Sequence, residues 1–91
     1  MVKRVALAPK LDTAAAEELR QTLLDAKEQD IVIDGAAVEM IGALCVETLM
    51  SAAAIWKSAG HSFTIETPSP QMTENLGRMG LTPDTLLEYA A

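Results

Sequence analysis

Apolar and polar positions change their period several times along this chain, and each change marks an element. From Lys3 to Ala8 the pattern alternates, with Val5 and Leu7 on one face and Arg4, Ala6 and Ala8 on the other. That period of two predicts a strand, ended by Pro9, which has no N–H for a ladder. Beyond Leu11-Asp12, residues Ala16, Leu19, Leu23, Leu24 and Ala26 recur at three and four, predicting a helix with one buried stripe that runs to about Lys27. Asp12 and Thr13 supply an oxygen for its first turn, and Glu17 and Glu18 place negative charge towards its N-terminus.

Ile31-Val32-Ile33 is short, β-branched and uninterrupted, the signature of a strand covered on both faces, and Asp34-Gly35 closes it. Val38 to Ile41 reads as an apolar connector packed beneath the sheet. A second helix begins near Gly42, with Leu44, Cys45, Thr48, Leu49, Ala52, Ala53, Ile55 and Trp56 on its inner side and Gly60 as its stop. Ser62 to Glu66 alternates as a third strand with Phe63 and Ile65 inward. Ser69-Pro70 then opens a helix carrying Met72, Leu76 and Met79, and after Gly80 a short final helix spans Thr85 to Tyr89. The order strand, helix, strand, helix, strand, helix, helix implies right-handed crossovers and an α/β domain with a mostly parallel sheet covered by helices.

Composition narrows this picture. The 91 residues suffice for one domain, expected to span 1–91, and with 49% hydrophobic and 22% charged residues the chain reads as folded and soluble rather than disordered. No apolar run reaches the length of a membrane span, and Met1-Val2-Lys3-Arg4 leads into too few apolar residues for a leader, so a cytoplasmic location is expected. Seven Lys and Arg against thirteen Asp and Glu leave a net charge of -6, which argues against a nucleic-acid partner or an anionic membrane surface. The single cysteine, Cys45, excludes an internal disulfide, and no His or Cys partner accompanies His61 at metal-ligand spacing. No metal or cofactor is expected.

Several of these stretches, in this order and at these distances, resemble the STAS domain, the fold of bacterial anti-sigma factor antagonists. They are Leu11-Asp12, Ala16-Glu17-Glu18-Leu19-Arg20, Ile31-Val32-Ile33-Asp34, Val38-Glu39-Met40-Ile41, Ser69-Pro70 and Met79-Gly80-Leu81. The resemblance implies a STAS-like fold over nearly the whole chain, with a sheet region of four elements. It differs at the N-terminus, where the family's additional edge strand is expected to be absent. The uncovered edge would then be able to pair with a second copy as a homodimer.

The resemblance also implies a site. At the start of the second helix the family carries an Asp, then a phosphorylatable Ser or Thr, then a small residue. The corresponding positions here are Gly42, Ala43 and Leu44-Cys45. Ala43 is thus a degenerate phosphorylation position, with no oxygen to modify, and the usual switch by added charge cannot operate there. A partner-binding face is expected from Met40, Ile41, Gly42, Ala43, Val46 and Glu47, although for Met40 and Ile41 a place in the core is the preferred reading.

The remaining chemistry-bearing residues have ordinary readings. Thr48 and Ser51 are expected to bond back to the preceding turn, Cys45 to pack in the core, and His61 to sit in a solvated turn. Asp12 and Asp34 are accounted for by a cap and a strand end. No nucleophile, base and orienting group can be assembled, so no catalytic residue and no enzyme activity are expected.

The function implied is regulation by protein–protein contact. The partner would be an anti-sigma factor or histidine-kinase-like protein in a bacterial signalling circuit, chemotaxis and two-component assemblies included. The alternative is a STAS subunit of an ABC-type lipid transport complex, with the transporter ATPase as partner.

Overall fold

The computed structural model describes residues 2–88; Tyr89, the expected end of the last helix, lies outside them. The elements are β1 (Val2–Ala6), β2 (Lys10–Leu11), α1 (Thr13–Asp25), β3 (Asp30–Asp34), β4 (Met40–Ile41), α2 (Ala43–Ser58), β5 (Phe63–Glu66), α3 (Pro70–Arg78) and α4 (Pro83–Glu88). Strands β1, β3 and β5 form a parallel sheet in the order β1-β3-β5. The other two pair separately as a short parallel clip, β2 with β4. The connector before α2 is therefore a strand of its own, held by Pro9: the Glu39 and Met40 N–H groups both donate to the Pro9 carbonyl, at 2.8 and 3.1 Å.

Register explains which side of the sheet is buried. Val5, Ile33 and Ile65 stand in one row across the three strands, and Ile31 faces Phe63. Ile31 and Ile33 are fully buried, packed in one core with Leu19, Leu23, Leu49 and Leu86 from the helices. The opposite face carries the rows Arg4, Val32, Thr64 and Ala6, Asp34, Glu66. Val32 is only half-buried, so the expectation of a strand covered on both faces is corrected: helices cover one side. The Arg4 guanidinium lies across the open side, donating to Asp34 at 3.2 Å and Glu66 at 3.1 Å, which suits a solvated surface better than a second core.

Helix boundaries follow local chemistry. Asp12 caps α1, its Oδ1 accepting from the Ala15 N–H at 3.1 Å. Glu17 and Glu18 fall beyond the first turn, and Glu17 pairs instead with Arg20 at 2.6 Å. Ser69 caps α3 with Pro70 at its first position. Gly60 and Gly80 follow α2 and α3 at φ of 80° and 76°, a left-handed geometry that a side chain would strain. Gly35 is required for another reason: a Cβ there would come within 2.7 Å of Met72 Sδ and 3.2 Å of Pro68 Cα.

Four residues assigned to the core by spacing are at the surface. Leu24, Leu44, Ile55 and Met79 are each at least 40% exposed. No helix of the described residues is long and apolar enough to cross a membrane.

Candidate functional site

The segment from Gly35 to Gly42 is tied down from three directions. From the N-terminal side, β2 pairs with β4 and the Gly42 N–H donates to the Leu11 carbonyl at 2.9 Å. From α3, the Asn75 side-chain oxygen accepts the Ile41 N–H at 3.0 Å. From the α3 cap, the buried Ser69 hydroxyl donates to the Val38 carbonyl and accepts the Met72 N–H at 3.0 Å. The Ser69 N–H donates to the Gly35 carbonyl at 3.0 Å. A loop whose backbone groups are satisfied in this way presents its exposed residues in one conformation.

Within the loop Ala36, Ala37, Glu39 and Met40 are exposed; of the partner face expected from the sequence, Met40, Ala43 and Glu47 are exposed and Gly42 is half-exposed. Val46, expected on that face, is 3% exposed and packs in the core, and Ile41 is 1% exposed, in the core position also read for it from the sequence. Alternation places Ile41 inward when Met40 faces out, and Val46 lies on the inner side of α2 beside Cys45 and Leu49.

Gly42 is the N-cap of α2, in extended geometry and with no side chain to accept from the first turn. Ala43 follows it as the first helical residue, exposed and without a hydroxyl. The helix thus starts with a small, uncharged surface where phosphorylation chemistry has no atom to use.

Beside this start lies a feature that spacing did not reveal. A groove of about 360 Å³ opens between α1 and α2, lined by Leu23, Leu24, Leu44, Ile55 and Trp56. Arg20, Glu47, Thr48 and Ser51 also border it. Leu24, Leu44 and Ile55 are 40%, 45% and 51% exposed, so the groove has apolar walls open to solvent. The sequence signal was the composition of α2, which is apolar on nearly every side and carries only Glu47 and Lys57 as charges. Asn75 had no such signal, because its contact spans 34 positions.

The other candidates settle into structural roles. The Thr48 hydroxyl donates to the Leu44 carbonyl at 2.8 Å, as expected, whereas Ser51 is exposed with no bond to the preceding turn. Cys45 is buried, its thiol 3.4 Å from the Asp12 carbonyl, and burial, helped by the Asp12 charge, pushes its pKa up and makes it less reactive. His61 is half-exposed, with Nδ1 3.6 Å from Asp30 Oδ1. Asp34 accepts from the Ala36 N–H at 3.0 Å and from the Thr67 hydroxyl at 3.1 Å, the strand-end role expected of it. Among the described residues no three of His, Cys, Asp and Glu are grouped as metal ligands.

The family model described as "Mlab, STAS domain" matches residues 2–88. A comparison with curated proteins finds no match. The matched span takes in every element of the fold, including the clamped loop and the start of α2, and the chain belongs to the STAS domain family.

Proposed function

We propose that this chain is a non-catalytic STAS regulatory protein that works by docking on another protein through Met40, Gly42, Ala43 and Glu47. STAS domains commonly interact with other proteins and are generally non-catalytic. The observation that carries the reading is Ala43, exposed on a clamped helix start where the family places its phosphorylatable hydroxyl. Contact made there has no phosphate to interrupt it and is constitutive at this position. The preferred partner is an anti-sigma factor or histidine-kinase-like protein, in an anti-sigma antagonist-like, chemotaxis or two-component circuit. The buried Cys45 and the His61–Asp30 pair offer no nucleophile beside a base, which supports binding over catalysis.

Affinity capture from the native host, read by mass spectrometry, tests this. The expected result is a kinase-like or sigma-regulating protein bound to a chain without phosphate, with Ala43→Asp reducing capture by about tenfold or more, because a desolvated charge would sit in the interface. Capture unchanged by Ala43→Asp would remove this face from the interaction.

A second reading, a permanent subunit attached to the ATPase of an ABC-type lipid transporter, is favoured by the exposed Leu24, Leu44 and Ile55. Permanent interfaces are more apolar than transient ones. Recovery of an ATPase and a permease in the same capture would select it.

A further inference from the structure

Strand β1 lies at one edge of its sheet and pairs, among the described residues, with β3 alone. The Leu7 N–H donates inward to the Asp34 carbonyl at 2.9 Å. Backbone groups alternate in direction along an extended strand, so Lys3 and Val5 also turn theirs towards β3, while Arg4 and Ala6 turn theirs outward. Each of these two exposed residues thus offers an N–H and a carbonyl along an open edge. Donors and acceptors spaced two residues apart are what a further extended strand needs in order to pair.

The surroundings of the edge narrow the occupant. On the helix side a hollow of about 90 Å³ opens between Ala6-Leu7-Ala8 and α1, walled by Leu11, Ala15 and Leu19 and bordered by Glu18. Its size suits one small side chain, and the Glu18 carboxylate disfavours an acidic one there. Lys3 stands on the same side of the sheet as Leu7, four positions away, exposed and in no ion pair among the described residues. Arg4 is held on the opposite face by Asp34 and Glu66. Residues 2–10 carry three of the seven Lys and Arg and no Asp or Glu, so the open edge belongs to a basic stretch of an acidic chain.

We propose that the β1 edge takes an extended acidic segment of a partner protein as an added strand. A small uncharged side chain of that segment fills the hollow, and an Asp or Glu four residues along lies beside Lys3. Backbone bonds to Arg4 and Ala6 supply affinity, while the hollow and Lys3 select the sequence. A second copy of this chain fits worse, because β1 against β1 brings the Lys3 and Arg4 of each copy together, and like charges on neighbouring strands oppose pairing. An acidic strand turns the same cations into attraction. This surface uses none of Met40, Gly42, Ala43 and Glu47 and stands independently of the docking face proposed above.

Amide hydrogen exchange, read by NMR on the isotope-labelled whole chain, tests the proposal with the end-blocked peptide Thr-Val-Thr-Thr-Thr-Glu-Thr at about millimolar concentration. The peptide should protect the outward Arg4 and Ala6 N–H groups and leave those of Val5 and Leu7, which face β3, unchanged. Replacing its Glu by Lys should weaken binding about threefold or more, and Lys3→Glu in the protein should reverse that preference. Ala6→Pro deletes an outward N–H without touching the β3 ladder, at an edge position where proline is tolerated. This variant should keep the circular dichroism of the parent and lose the peptide. No protection of Arg4 and Ala6, equal binding of the Glu and Lys peptides, or undiminished binding by a folded Ala6→Pro chain would each overturn the proposal. Protection that grows with protein concentration and needs no peptide would overturn it in favour of a second copy.

Discussion

Helices α2 and α3 both begin where the chain leaves a strand, yet their first residues are used in opposite ways. Helix α3 starts at Ser69, which is 6% exposed and whose hydroxyl both caps the helix and bonds to the Val38 carbonyl. Helix α2 starts at Gly42, with no side-chain cap, and continues into the exposed Ala43. The α3 start is buried structure, and part of what it holds is the loop that presents the α2 start. The hydroxyl beside Pro70 serves stability, whereas Ala43 carries no hydroxyl and stands in solvent. Two similar junctions, one strand apart, are thus one buried and bonded and one open to solvent.

Substitutions at these junctions test the contrast. The largest effect is expected for Ser69→Ala, which strands the Val38 carbonyl and the Met72 N–H inside the protein, a loss of about 1–3 kcal/mol by urea denaturation. Asp12→Ala removes the exposed α1 cap and should cost about 1 kcal/mol in the same measurement. Gly42→Ser supplies the cap that α2 lacks; its Cβ would meet only the Leu11 carbonyl oxygen, at an ordinary 3.5 Å, so a gain of a few tenths of a kcal/mol is expected. A loss instead would show that the α2 start depends on glycine in a way its open surroundings do not indicate.

Acid titration should show the smallest effect. Asp34 has its pKa lowered by the Ala36 N–H first, then by the Thr67 hydroxyl and Arg4; Asp30 is lowered chiefly by the Ser62 N–H. A carboxylate held lower in the folded state than in the unfolded one adds stability above its unfolded pKa, about 3.9. That contribution is lost as pH falls through the folded value. Stability followed by circular dichroism should therefore decline below about pH 4, and Asp34→Asn should flatten part of that decline. Both carboxylates are solvent-accessible, which keeps the effect modest.

Local features were legible in the sequence because the groups involved are near neighbours. The Asp12 and Ser69 caps, the Gly60 and Gly80 stops and the order of the main elements all follow from residues within a few positions of each other. The clip of β2 with β4 was not legible, since two residues on each side carry no periodic signal. The site was legible in part. Ala43 and Glu47 lie on the surface as expected, whereas Ile41 and Val46 belong to the core.

Leu24, Leu44 and Ile55 share helical spacing with core residues and yet stand in water. Helical spacing says which residues share a side, but not how far a neighbouring helix extends to cover that side. A three-stranded sheet with helices on one face buries Leu49 and Trp56 and has nothing left to lay over Leu44. The α/β order, the Asp12 and Ser69 caps and the lack of a hydroxyl at residue 43 could be read from the chain, because each depends on local chemistry or residue identity. Which apolar residues stay in water, and which distant groups, Asn75 and Ser69, hold the loop before α2, emerge with the folded chain, because both depend on packing between segments far apart in sequence.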